Sequence, residues 1–384
     1  MVLCILPLAF FSRLSAALFH YYVAPLPGGS ADAVTFERVA WELSASGIGS
    51  IFSSFDHSAA YIYSLLMAFP YALFGRNPLM LQTLSVLVGT FCVYLTWKLA
   101  LEVWGRKSAR KAAWIVAFFP TLILYSALTM REVYFLAFFL MGTIYLARWA
   151  KYLRLHHAGA AALLFGAGAM FHPATLAGLA ALAAMMIVSA LRRLLVSLLR
   201  SRLHLSGFVL LSAAALAVPI LIWLNPSIPK IGPFTNIFDA ETYLRSLTIS
   251  VRGTAAYPAW LNPQTSVELL WVVPLRAVYL LFSPFVWDVS SAGHLVGLFD
   301  ALLYLSLVLA VIANRRYLSA NPAALAILLV FIAGAVMLGA GTGNFGTGLR
   351  HRAKLLPLLA VLAAPFFTRI VWMQRATEPT RTAT

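Results

Sequence analysis

The sequence predicts an all-α polytopic membrane protein: about ten transmembrane helices, plus helices lying along the outer face, in a single integral membrane domain over 1–384. Three observations carry this prediction. Hydrophobic residues make up 62% of the chain and charged residues 10%, against roughly 25% charged in soluble domains. Several runs approach or exceed the ~18–20 apolar residues a helix needs to cross a bilayer. The alternating ~10-residue segments of a membrane barrel are absent. Only 12 of 384 residues are acidic, and Asp32, Glu37, Glu42 and Asp56 share one polar gap after the first run.

In chain order, spans are expected near 2–24, 79–102, 112–130, 133–149, 158–172, 174–191, 205–224, 296–313, 322–340 and 355–372. The first is hydrophobic from Met1, with neither a basic n-region nor a small-residue cleavage site, and reads as a retained span. Placing both termini in the cytoplasm puts 16 of the 28 basic residues inside and ten outside, with Arg13 and Lys98 in or beside spans. That bias follows the positive-inside rule and leaves nearly all acids outside. It requires the apolar segments 59–74 and 267–286 not to cross. Both are rich in Tyr, Trp and Phe, which favour the headgroup level, so both read as juxtamembrane helices.

Three outer loops then hold the polar architecture. The first, 25–78, contains an amphipathic helix from about Ser30 to Ser46, followed by the first juxtamembrane helix. Phe36, Val39, Ala40 and Leu43 make its apolar stripe at helical spacing. The second, 225–295, is proline-rich. The third, 341–354, is the run Gly341-Thr342-Gly343-Asn344-Phe345-Gly346-Thr347-Gly348-Leu349-Arg350-His351-Arg352-Ala353-Lys354. Cys4 and Cys92 both lie in hydrophobic runs, which excludes a disulfide framework and a cysteine metal site. The net charge of +16 is scattered among the spans. Membrane topology accounts for it without nucleic acid.

Charge at a span boundary is costly, which makes such residues functional suspects. Asp32 reads either as a general base within reach of an acceptor hydroxyl or as a helix N-cap, and the two roles are compatible. Glu132 reads as a second site carboxylate, or as the partner of Arg131 at a helix start. Arg350, His351, Arg352 and Lys354 form a basic run on the outer face, against the charge bias. A phosphate is its natural ligand, bound by arginine as a fork and by lysine as a point charge; anionic headgroups are the alternative. The glycines before it permit close backbone approach to a ligand. His172 and Arg131 are further phosphate-side candidates, and Glu37, Asp56 and His57 are acceptor- or sugar-side candidates. No metal-type ligand spacing is present, so a divalent metal is compatible with the acids but not implied.

Three stretches carry a family resemblance: Asp32-Ala33-Val34-Thr35-Phe36-Glu37-Arg38-Val39-Ala40, Tyr71-Ala72-Leu73-Phe74-Gly75-Arg76-Asn77-Pro78, and Ser126-Ala127-Leu128-Thr129-Met130-Arg131-Glu132. Their order, one span, then an Asp leading an amphipathic helix, then an aromatic juxtamembrane helix, then an acid at the next outer turn, resembles the GT-C superfamily of polyprenyl-phosphate-sugar-dependent glycosyltransferases. The likeness is to its protein mannosyltransferase and aminoarabinose transferase branch, over roughly the first 180 residues. Many relatives carry an adjacent Asp-Glu pair in the first loop, whereas here Asp32 is followed by Ala33. The resemblance implies that Asp32 is the catalytic acid of the first loop, Glu132 the second acid, and His172 a donor-phosphate contact. It implies an inverting transferase of the cytoplasmic (inner) membrane, working on the periplasmic or extracellular side. The expected partners are a polyprenyl-phosphate-linked sugar, a lipid-linked or envelope glycan acceptor, and membrane lipids. An O-antigen or exopolysaccharide repeat-unit polymerase or ligase using a pyrophosphate-linked donor is the nearest rival. A lipid-linked oligosaccharide transporter is the next, although it would carry its charges near the midplane.

Overall fold

A computed structural model describes residues 2–30, 32–53, 62–199 and 255–376, with isolated positions between 223 and 244. Nearly all of the expected span 205–224, and both Asp56 and His57, lie outside the described residues. Six helices are long and apolar enough to cross a membrane: α1 (Val2–Tyr22), α4 (Pro78–Trp104), α7 (Glu132–Tyr152), α9 (Leu176–Leu199), α11 (Ala292–Ala313) and α13 (Pro322–Ala340). Between and after them lie α2 (Asp32–Ala45), α3 (Ile62–Phe74), α5 (Arg106–Phe118), α6 (Pro120–Ser126), α8 (Leu155–Ala169), α10 (Leu269–Phe282), α12 (Arg315–Ser319), α14 (Phe345–Ala353) and α15 (Leu356–Ala376). A two-residue antiparallel pairing joins Ser227–Ile228 to Gly232–Pro233.

The sequence expectation of ten spans is therefore met by six among the described residues. One difference has a clear cause. The expected span 112–130 is broken in two, because Pro120 has no N–H to donate and its ring blocks helix continuation. Phe119 turns extended at the break. The carbonyls this leaves open at the end of α5 are capped by Arg13, whose guanidinium donates to Val116 O at 3.0 Å and Ala117 O at 2.8 Å. A fully buried arginine within an apolar helix is thus paired to backbone carbonyls, the arrangement expected of a charge inside a span. The helix α8, with 15 residues, falls short of a span.

The core is built by α4 against α1, α5 and α7, and by α13 against α7, α9, α10 and α15. α10 lies directly on α13, where a Cβ on Gly339 would meet Ala277 Cα at 2.6 Å. Only glycine allows that approach. Buried Arg276 of α10 locks the contact, donating to Leu261 O (2.8 Å), Asn262 Oδ1 (2.8 Å) and Ala340 O (3.1 Å).

The amphipathic helix expected near Ser30 to Ser46 is α2, and the juxtamembrane helix after it is α3. They pack as a pair, with Ser64 Oγ donating to Phe36 O at 2.8 Å. Glu37 closes this pair. It accepts from Tyr71 Oη at 2.7 Å and from both Arg76 Nε (3.0 Å) and Arg76 Nη2 (2.9 Å). Burial alone would raise the Glu37 pKa, but the hydrogen bonds from Arg76 and Tyr71 outweigh it and hold it below its ordinary 4.5.

The segment expected as a basic loop, 341–354, is largely helical. Asn344 caps α14 by accepting from Thr347 N at 2.8 Å, and Tyr257 N donates to Gly343 O at 2.8 Å. Of the glycines expected to face a ligand, Gly348 instead faces Tyr257: an added Cβ would stand 2.7 Å from its hydroxyl. Helical geometry also sorts the bases of this segment, since residues four apart share a face and residues two apart do not.

Candidate active site

One end of the bundle gathers the starts of α2, α7 and α11, together with α6 and α14. Arg350 is the centre. Its Nη1 lies 2.6 Å from Asp32 Oδ2, and its Nε lies 3.4 Å from Glu132 Oε1. Lys354, one turn further along the chain, brings its Nζ within 3.8 Å of the same Glu132 oxygen. Two acids from the first 132 residues are thus joined by two bases from near the end of the chain. Asp32 and Glu132 are each the first residue of a helix, where the positive end of the macrodipole favours a carboxylate.

The members differ in exposure. The Asp32 side chain is 52% exposed and that of Arg350 18%, whereas Glu132 and Lys354 are buried. Burial works against the charge on Arg350, but Glu132 and then Asp32 more than offset it and raise its pKa above the ordinary value. Glu132 Oε2 is buried and accepts no hydrogen bond from the described residues. The Lys354 ammonium lies 5.3 Å from the centre of the Phe135 ring.

Two histidines complete this end. His172 Nδ1 accepts from Ala174 N at 3.1 Å, so a neutral His172 carries its proton on Nε2. Its ring meets the ring of His351 edge-on at 5.2 Å and that of Phe135 at 5.6 Å. His351 Nδ1 is 2.8 Å from Thr342 Oγ1. Arg131 is buried, with its guanidinium over the Phe36 ring at 5.3 Å.

A cavity of about 580 Å³ opens beside this cluster, with Asp32, Tyr125, His294, Asn344, Thr347 and Arg350 among its walls. Among the described residues singled out from sequence, Asp32, Arg350 and the glycine Gly346 of the basic run line it; Glu132, Lys354, His172 and His351 are not among its walls. Its size falls within the ~300–1,000 Å³ of small-molecule sites. Among the described residues no three His, Cys, Asp or Glu side chains cluster as a metal site.

Two expected site residues are placed elsewhere. Arg352, two positions from Arg350, turns to the opposite side of α14 and is fully buried. Its Nε donates to Asp300 Oδ2 at 2.7 Å and its Nη2 to Gly297 O at 2.8 Å, while Nη1 donates to Ser283 O. All three nitrogens are engaged by protein, so we remove Arg352 from the phosphate-binding set. Glu37 is committed to Arg76 and Tyr71 and does not line the cavity, so it leaves the acceptor-side set. Tyr125 and His294, on the cavity walls, are additions that the sequence does not single out, whereas Asp300 is the buried partner of Arg352. Asp300 stands out only as an acid inside the expected span 296–313, and nothing local marks Tyr125 or His294.

No family model and no curated protein matches the sequence. Among solved structures the chain is similar to ArnT from Cupriavidus metallidurans bound to undecaprenyl phosphate. That likeness has 14% identity and a TM-score of 0.53, over 97% of this chain and 62% of that one. It is also similar to the archaeal oligosaccharyltransferase AglB from Archaeoglobus fulgidus, in complex with an inhibitory peptide and a dolichol-phosphate. There the identity is 14% and the TM-score 0.53, over 100% of this chain and 52% of that one. The chain thus spans less than two thirds of either protein. At this identity the likeness is one of fold: the chain shares with both the helical fold of a multi-pass membrane protein.

Proposed function

We propose that this protein is a membrane glycosyltransferase that moves a sugar from a polyprenyl-phosphate donor to a hydroxyl of a lipid-linked or envelope acceptor. The observation that carries this reading is the pairing of Asp32 with Arg350 on the wall of one cavity, across 318 positions of sequence. A carboxylate and a guanidinium side by side match the two needs of the reaction. The carboxylate takes a proton from an attacking hydroxyl, and the guanidinium stabilises a leaving phosphate. The shared fold and the undecaprenyl phosphate and dolichol-phosphate bound by its structural neighbours support the choice of donor.

In this reading the donor phosphate competes with Asp32 for Arg350. Binding of the donor draws the guanidinium to the phosphate and releases the carboxylate toward the acceptor. The acceptor oxygen then forms its bond to the anomeric carbon as its proton passes to Asp32. The bond from that carbon to the phosphate oxygen breaks, and polyprenyl phosphate leaves with the electron pair. Attack opposite the leaving group inverts the anomeric configuration. Lys354, His172 and His351 support the phosphate side from behind Arg350, and Glu132 fixes Arg350 and Lys354 in register. The charge bias of the loops supports placing this end on the outer face of the cytoplasmic membrane, with both termini inside.

The test is transfer by the purified protein in nanodiscs, using radiolabelled polyprenyl-phosphate sugars and extracted envelope lipids, with wild type and Asp32→Asn compared. Transfer that collapses in the variant, with thermal stability unchanged, supports the reading. Equal transfer in both removes Asp32 from the chemistry.

A further inference from the structure

The end of the bundle opposite Glu132 holds a second cavity, of about 430 Å³, with Glu102, Arg148, Lys151 and Tyr152 in its walls. It lies 16 to 19 residues along α7 from Glu132, or about 25–30 Å at 1.5 Å per residue. The remaining walls are apolar: Leu101, Val103, Ala147 and Ala323. We propose that this cavity binds the headgroup of an anionic phospholipid.

Its charge balance argues for an anion. Arg148 is held by Glu102, with Nε donating to Oε1 and Oε2 at 2.9 and 2.8 Å and Nη2 also on Oε1. That pair consumes the one acid of the cavity. Lys151 forms no ion pair among the described residues, and its ammonium stands 5.3 Å from the Tyr152 ring. A simpler role for these bases is to complement the negative ends of α4 and α7, which both terminate here. Each such end carries about half a charge, and α13 begins here with its positive end. Lys151, with Arg154 close behind in sequence, therefore leaves the cavity electropositive.

Its position argues for a lipid over a soluble anion. The cavity opens where two candidate spans end, which is the headgroup level of a bilayer. Its apolar walls are of no use to free phosphate, but they suit the glycerol and upper acyl region of a lipid. Tyr152, 54% exposed, stands at the rim as an aromatic with a polar tip, a type enriched at that level.

The test is native mass spectrometry of the full-length protein in detergent, titrated with phosphatidylglycerol or phosphatidylcholine. The variants are Lys151→Ala, Lys151→Glu and Lys107→Ala, with melting followed in parallel. Lys151 and Lys107 are both exposed, so these variants test binding more than folding. Wild type should retain phosphatidylglycerol over phosphatidylcholine by roughly tenfold, the scale of one charge-assisted hydrogen bond. That preference should vanish in Lys151→Ala, reverse in Lys151→Glu and persist in Lys107→Ala. No preference in wild type would overturn the proposal, as would an equal loss in Lys107→Ala, which would mean diffuse surface charge. Displacement of the lipid by millimolar inorganic phosphate would overturn the lipid assignment.

Discussion

Arg350 and Arg352 stand two residues apart in one short helix, carry the same charge, and do opposite things. Arg352 faces α11 and is sealed: Asp300 and two carbonyls take its nitrogens, and its guanidinium lies 5.9 Å from the centre of the Tyr304 ring. Arg350 faces α2 and α7, stays partly exposed, and divides itself between a buried carboxylate and one on a cavity wall. A saturated arginine is a structural part. One that is shared, and reachable from a cavity, can exchange a protein partner for a ligand. The difference comes from the 100° step of the helix and not from any difference in local composition.

The contrast breaks hardest at Arg352. Arg352→Ala leaves Asp300 buried without its partner and should cost about 3–5 kcal/mol, read as a lowered melting temperature in detergent. Pairing Arg352→Met with Asp300→Leu should restore only part of that loss: it removes the unpaired buried charge but leaves the Ser283 and Gly297 carbonyls without their donor. At the other arginine the effect should move from stability to rate. Asp32→Asn should lower transfer by roughly 10²–10⁴-fold, the range of a general base, while melting shifts by no more than the ~0.2–1 kcal/mol of an exposed pair. Arg350→Lys keeps the charge but loses the fork that reaches both acids. It should lower transfer by roughly tenfold or more with a raised KM for the donor, because arginine and lysine are not interchangeable at a site shared this way.

The smallest effect lies furthest from the cavity. Glu37→Gln should cost about 1 kcal/mol by loosening Arg76 and Tyr71 without altering the KM for the donor. Because Glu37 titrates below its ordinary 4.5 in the folded state, its contribution is complete above that pH. It is lost as the pH falls through the lowered value. Melting curves from pH 7 to pH 3 should therefore converge for wild type and Glu37→Gln at the acid end.

How much of this is legible in the sequence depends on the range of the interactions involved. The apolar runs predict α1, α4, α7, α11 and α13, because a bilayer demands an unbroken apolar stretch and little else. The amphipathic spacing of Phe36, Ala40 and Leu43 predicts α2. Pro120 is visible, but the break it causes depends on Arg13 reaching across from α1 to cap the freed carbonyls, a contact no local pattern discloses. The glycines of the basic run suggest a loop, and in a loop its four bases would act together. Helical phase separates Arg352 from Arg350 and Lys354. The Asp32–Arg350 pair is beyond local reading: each residue stands out, yet nothing near either one names the other.

The most direct test of the Asp32–Arg350 exchange is a cryo-EM structure of the protein with bound polyprenyl phosphate. Phosphate density should lie within hydrogen-bond distance of Arg350, with the Asp32–Arg350 contact opened beyond 4 Å from its present 2.6 Å and the Arg352–Asp300 pair unchanged. Phosphate bound away from Arg350, with the Asp32 contact intact, would contradict that exchange.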